Sequence, residues 1–330
     1  MNPMSPLTQE ATAPPSPLHS GRREHQTPFA FVLAHSFSGS TLLSFLLGAH
    51  PEVATVGEMF IAPTHNTDEY PCSCGEPIER CGFWQRVSRE MTARGVPFDL
   101  RSADSSLSAG SYGWLGNRAI WAEPRGPVLE AARRAALALM PGVRNELDRR
   151  IAVNRHLAEA VLDLRPGARV FVDATKRPGR ALLLRRDPQL DLRVLHLVRD
   201  GRAVSRSTIR NLGRTVEEGA LSWASSAQRC EELRRYLPPE RWLTVRHEDL
   251  CRDSRGTLAR IFEFLGVTPD HTIGDFRATD HHIIGNRMRL SRTSEIRIDE
   301  RWRAELRPEQ IRTVERIAGP ELKRYGYAIA

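Results

Sequence analysis

Four short stretches hold residue types that could handle an anion or a metal. The first is "AHSFSGSTLL", residues 34–43. Small residues at Ser36, Ser38, Gly39 and Ser40 let backbone N–H groups close on an anion, and Ser40 and Thr41 add hydroxyls at a helix start. A nucleotide triphosphatase would carry Gly-Lys-Ser/Thr here and a glycine in place of Ala34; this loop has no Walker lysine. A plain tight turn is the alternative. The second stretch is "VLHLVRDGRAVSRS", residues 194–207. An apolar run delivers Arg199, and Ser207 follows eight residues later, about two helical turns on. A guanidinium fork with a hydroxyl can grip a phosphate; a local Arg199–Asp200 ion pair is the competing reading.

The third stretch, "FVDATKRPGRALLL" (residues 171–184), carries Lys176, one of only two lysines in the chain. Asp173 beside it could mimic a Walker-B magnesium ligand, but it suits a helix cap or the partner of a nearby arginine better. The fourth, "CSCGEPIERC" (residues 72–81), offers Cys72, Cys74 and Cys81. They could bind zinc with His65 as a fourth ligand. They lack the Cys-x-x-Cys pairs and four clear ligands of a usual zinc site, so a structural loop with free thiols and no bound metal is the expectation. His271, His281 and His282 show no helical metal spacing and are not taken as ligands.

Alternating elements must position these residues. Apolar, largely β-branched runs at 29–34, 53–56, 169–172, 192–198 and 241–245 read as strands of a parallel sheet buried on both faces. Helical patterns fill the gaps at 41–47, 128–164, 202–211, 215–236 and 254–265. Thr215 and Glu218 have capping-box spacing, and Pro238-Pro239 closes that helix. The expected fold is α/β, a P-loop-like three-layer arrangement around a mostly parallel sheet of about five strands, with a helical insertion. Ligands of such sheets sit beyond the carboxyl ends of the strands, where the opening loop, Glu58, Lys176 and Arg199 all fall. Residues 1–27, rich in Pro, Ser and Thr and lacking an apolar signal core, are expected to be a disordered tail. Residues 28–330 then form one domain. The interval 58–166, with Tyr112, Trp114 and Trp121, reads as an insertion shaping an acceptor pocket.

Ser-Gly-Ser-Thr-Leu after one strand and Val-Arg-Asp-Gly-Arg-Ala-Val with a following serine after another closely resemble the sulfotransferase family. That resemblance implies 3′-phosphoadenosine 5′-phosphosulfate (PAPS) as co-substrate and no required metal. It places residues Ser36, Phe37, Ser38, Gly39, Ser40 and Thr41 at the 5′-phosphosulfate and Arg199 with Ser207 at the 3′-phosphate. "HHIIGNRMR" (residues 281–289) is similar to a Gly-Asn-x-x-Arg block of bacterial members, which adds Arg289 near the nucleotide. Residues 245–267 look like the family's closing strand and helix. Glu58, following "HPEV", resembles the general-base region of the tyrosylprotein and carbohydrate branches, and Lys176 resembles a lysine that approaches the bridging oxygen. Relatives usually put Arg or Lys where this chain has Phe37, so either Lys176, Arg177 or His35 supplies charge for the sulfuryl group, or the enzyme is slow or inactive.

The net charge of +8 favours an anionic ligand. The arginines form no patch with interleaved aromatics, so nucleic acid is not the expected partner. No segment reaches membrane-spanning length, and five cysteines are too few for a disulfide scaffold; a cytoplasmic enzyme is expected. The acceptor is a small molecule or glycan hydroxyl, a phenol or a tyrosine. A P-loop kinase or NTPase is the rival reading.

Overall fold

Residues pointing alternately to two faces of one strand set the layers of this protein. The computed structural model describes residues 26–59, 70–99, 105–107, 112–121, 123–269, 274–291 and 293–329. In β1 (Thr27–Ala34), Phe29, Phe31 and Leu33 enter one apolar cluster while Ala30, Val32 and Ala34 enter another. That is the two-residue period of a strand with both faces covered. After β1 come α1 (Ser40–Gly48), β2 (Val53–Gly57), α2 (Gly82–Ala93), α3 (Gly113–Trp121), α4 (Pro127–Leu139) and α5 (Pro141–Asp163). They are followed by β3 (Val170–Lys176), α6 (Pro178–Leu184), β4 (Leu190–Val198), α7 (Gly201–Leu212) and α8 (Val216–Arg234). The chain closes with β5 (Trp242–Arg246), α9 (His247–Arg252), α10 (Ser254–Leu265), α11 (Trp302–Glu305) and α12 (Pro308–Arg324).

The five strands form one parallel sheet in the order β2-β3-β1-β4-β5. Phe29, Phe31 and Phe171 pack with α5 residues Leu147, Ile151 and Leu157 on one side. Val32, Val172 and Leu195 pack with Leu43, Leu47, Leu258 and Ile261 of α1 and α10 on the other. Beyond β1 the chain winds toward β2; beyond β4 it winds toward β5. The carboxyl ends of these neighbours, β1 and β4, are therefore the switch point where α/β sheets bind ligands. No helix among the described residues is long and apolar enough to cross a membrane.

Several boundaries differ from the sequence reading. β1 starts at Thr27, inside the stretch assigned to the tail, because Thr27 pairs with Leu190. The helical run 128–164 is two helices: Pro141 has no amide N–H to continue a ladder and instead opens α5. Interval 58–166 is also not wholly an insertion, since its last helix, α5, is the layer that covers β1 and β3. β3 runs past Val172 to Lys176, so Asp173 and Lys176 belong to the strand. α8 carries both capping-box hydrogen bonds of Thr215 and Glu218 but ends at Arg234, before the prolines.

Candidate active site

The loop between β1 and α1 turns through two left-handed residues, Phe37 (φ 68°) and Gly39 (φ 92°). Gly39 suits the turn on a second count: a Cβ there would lie 2.5 Å from His247 Nδ1. The Ser38 N–H donates to the His35 carbonyl at 3.2 Å. α1 starts without a side-chain cap, and the Leu43 N–H donates to Gly39 O at 3.0 Å. The N–H groups before Leu43 have no partner within the helix and point out of its start, as at any helix N-terminus. Ser40 and Thr41 are buried at this start, and Ser36 is exposed at the loop tip. Three buried polar atoms around the loop have no partner among the described residues: Ser38 Oγ, His247 Nδ1 and Arg199 Nε. Buried polar atoms are almost always hydrogen-bonded, so this grouping fits a polar ligand seated on the loop.

Arg199, just beyond β4, joins this loop to the C-terminal part of the chain. It donates from Nη1 to Phe37 O at 2.8 Å and from Nη2 to Asp299 O at 3.2 Å, and its Nη2 lies 3.4 Å from Asp299 Oδ2. The local Arg199–Asp200 pair does not form: Asp200 caps α7 and pairs with Arg202 at 2.8 Å. Trp223 Nε1 donates to the Arg199 carbonyl and so fixes its backbone. Ser207 is buried on α7, with its hydroxyl donating to Ala203 O. Arg206 beside it reaches Asp299 Oδ2 at 3.5 Å. The hydrogen bond from Arg301, with the charges of Arg199 and Arg301 itself, holds Asp299 well below the usual carboxylate range. Sequence reasoning missed Arg206, His247, Asp299 and Arg301; only the "SRS" context of Arg206 gave any signal.

Glu58 and Lys176, chosen separately from sequence, touch. Lys176 Nζ donates to Glu58 Oε1 at 2.5 Å, with the two side chains 17% and 27% exposed. β2 ends at Gly57 (φ 74°), where a Cβ would meet Ile284 O at 2.2 Å. The Glu58 N–H donates to that same carbonyl at 3.0 Å, so residues 281–286 run along the strand end. A Cβ on Gly285 would lie 3.2 Å from Thr41 Oγ1 and 3.8 Å from Glu58 Oε1. The carboxylate thus stands close to the start of α1. Lys176 adopts φ 75°, a left-handed conformation uncommon for a residue with a side chain.

Burial, aided by the charge of Lys176, pushes the His35 imidazole down, and Arg177 is exposed. Asp173 is an arginine's partner: Oδ1 accepts from the Thr175 N–H and hydroxyl, and Oδ2 accepts from Arg180 Nε at 3.0 Å. Arg289 gives Nε to Pro71 O and Nη1 to Gly285 O, and its guanidinium stacks 4.1 Å from the Tyr70 ring centroid. It braces the segment behind Glu58. Of the aromatics offered as a pocket, Tyr112 is buried in the core and Trp114 is exposed on α3, while the Trp121 side chain lies outside the described residues.

A family model described as "Sulfotransferase family" matches residues 139–271, the part containing Lys176, Arg199 and Ser207. Carbohydrate sulfotransferase 5 of Mus musculus is 28% identical over 169 residues, 43% of this chain and 43% of the relative. Carbohydrate sulfotransferase 2 of Homo sapiens is 27% identical over 210 residues, 49% of this chain and 38% of the relative. The chain therefore spans less than half the length of these curated relatives. The sulfotransferase domain of the Synechococcus PCC 7002 olefin synthase superposes with a TM-score of 0.51 at 21% identity, covering 94% of this chain and 99% of that one.

Proposed function

We propose that this chain, whose residues 139–271 match the sulfotransferase family model, is a sulfotransferase that moves the sulfuryl group of PAPS to a carbohydrate hydroxyl. The reading is carried by one observation: a buried Ser38 hydroxyl, without a partner among the described residues, lies beside an uncapped helix start in a loop that Arg199 holds through the Phe37 carbonyl at the sheet's switch point. The α1 N–H groups with Ser38, Ser40 and Thr41 would hold the 5′-phosphosulfate. Arg199, with Arg206 and Ser207, would take the 3′-phosphate, a group that a nucleotide triphosphate lacks. PAPS supplies the activated sulfuryl group.

Sulfuryl transfer, like phosphoryl transfer, has a loose in-line transition state that asks for positioned charge more than covalent help. Glu58 accepts the proton of the acceptor hydroxyl as its oxygen bonds to sulfur. Lys176 donates to the bridging oxygen as the S–O bond breaks, and the bisphosphate 3′-phosphoadenosine 5′-phosphate (PAP) leaves. The Lys176–Glu58 contact keeps both groups at one place before substrate arrives. Carbohydrate is favoured as acceptor because the curated relatives reported above are named carbohydrate sulfotransferases. The kinase reading is less favoured, because both Asp173 oxygens accept hydrogen bonds, from Thr175 and from Arg180. Calorimetric titration with PAP, ATP–Mg²⁺ and a random oligonucleotide tests the site; metal-independent binding of PAP alone is expected, and preference for ATP–Mg²⁺ overturns it. In a screen of carbohydrate, phenol and tyrosine acceptors, Glu58→Gln is expected to lower turnover about 10²–10⁴-fold. Full turnover by that variant would remove Glu58 as the base.

A further inference from the structure

The cysteine stretch, which the transferase reading does not use, folds into a tight hairpin. Pro71 and Pro77 bridge, the Cys72 N–H donates to Glu76 O at 2.8 Å, and the Gly75 N–H donates to Cys72 O at 2.9 Å. Gly75 takes φ 97°, and Cys81 stands at the start of α2. This brings the three sulfurs to one side, where His282, set aside in sequence and 201 residues beyond Cys81, meets them. Cys74 Sγ lies 3.7 Å from Cys81 Sγ, and His282 Nδ1 lies 3.2 Å from Cys81 Sγ and 3.7 Å from Cys72 Sγ. All four ligand atoms fall within 4.8 Å of one another.

We propose that Cys72, Cys74, Cys81 and His282 form a structural zinc site. A tetrahedral zinc with the usual bond lengths of about 2.3 Å to sulfur and about 2.05 Å to nitrogen requires sulfurs about 3.8 Å apart and sulfur–nitrogen pairs about 3.6 Å apart. The observed distances of 3.2–3.7 Å are close to those values. A disulfide needs about 2.05 Å between sulfurs, well short of the 3.7 Å seen for Cys74 and Cys81. His65, the sequence candidate for fourth ligand, lies outside the described residues.

The surroundings suit a metal-ligating imidazole. His282 Nε2 is 3.1 Å from Asp280 Oδ2, which holds the proton on Nε2 and leaves Nδ1 for the metal. The Phe83 ring stacks on the imidazole at 4.4 Å between centroids, and only 3° separates their planes. Cys72 and Cys81 are buried while Cys74 is exposed, which gives an ion a way in. Four protein ligands would leave no open position, the mark of a structural rather than a catalytic site. Its effect is to tie the hairpin to residues 281–289. Ser73 Oγ donates to His281 O at 2.6 Å and accepts from the Ile283 N–H, and Tyr70 Oη donates to Gly285 O. Ile284 in turn braces the Glu58 backbone.

The readout is metal content, so this proposal stands or falls separately from the transferase activity. Full-length protein, purified without metal-chelate resin, is analysed by elemental mass spectrometry, with about one zinc per chain expected. Cobalt exchanged into the site should give the absorption of a tetrahedral cobalt thiolate. A chelator should lower the thermal midpoint, with zinc but not magnesium restoring it. Cys74→Ser alters the exposed ligand, and His282→Asn keeps volume and polarity; each should cut zinc retention at least tenfold, whereas Cys230→Ser should keep it. Protein that takes up no zinc after incubation, holds iron instead, or forms a Cys74–Cys81 disulfide with no metal overturns the proposal. So does full zinc retention by either ligand variant.

Discussion

Replacing Lys176 by glycine should separate stability from turnover, because two features of this residue pull in opposite directions. At φ 75° a side-chain-bearing residue carries a left-handed penalty of about 1–2 kcal/mol. Glycine removes that penalty but adds about 0.5–1 kcal/mol of unfolded-state freedom. Losing the ion pair with Glu58, whose side chains are 17% and 27% exposed, costs at most about 1 kcal/mol. The sum lies between about 1.5 kcal/mol stabilising and about 1 kcal/mol destabilising. At about 2.1 cal/mol/K per residue, a chain of this length should then shift its thermal midpoint by no more than about 2 °C. Turnover should fall about 10²–10³-fold, the usual loss when one positioned donor to developing charge is removed. Thermal scanning and saturating PAPS kinetics on the same preparations measure both, with Lys176→Arg as the charge-retaining control. A midpoint drop beyond about 5 °C with turnover unchanged would show Lys176 to be a strut and refute the reasoning.

Ser38→Ala should leave the free protein as stable as before, because the hydroxyl it removes is buried without a partner among the described residues. PAP affinity should fall about tenfold, one hydrogen bond to a charged group; a stability loss with unchanged affinity would make Ser38 a packing residue. Arg199→Ala should weaken PAP about 10–100-fold by calorimetry. Arg199→Lys should recover only part, since a point charge cannot serve both Phe37 O and a phosphate. Burial pushes His247 and His281 down to about 4 and His196 down to about 3, with the Arg199 charge adding to the effect at His247. Each then binds its proton more readily in the unfolded chain, where imidazole titrates near 6.5. Stability from these groups should be complete above about pH 6.5 and decline as pH falls toward 4. Urea midpoints across that range measure it, and a flat profile would contradict the neutral, buried assignment.

Much of the fold was legible because its signals are local. Strands buried on both faces read as unbroken apolar runs, and each of the five falls within a few residues of its expected place. The capping box at Thr215 and Glu218 and the small-residue loop before α1 depend on neighbours three or four residues apart. The run 128–164 misled because Ala, Leu and Arg favour helix on both sides of Pro141, which hid the break. Interval 58–166 misled because a crossover helix and an inserted one share the same amphipathic pattern until something packs on them.

What the sequence determined by itself was a small-residue loop at a strand exit, a family resemblance, and Glu58, Lys176 and Arg199 as residues worth testing. Tertiary structure alone decided their relations. Lys176 meets Glu58 across 118 positions, Arg199 holds the Phe37 carbonyl across 162, and His282 joins cysteines more than 200 positions away. The physical reason is range. Propensity and capping act within a few residues of chain, whereas hydrogen bonds and thiol–imidazole contacts act within a few ångströms of space. Only sheet order and strand register convert one distance into the other.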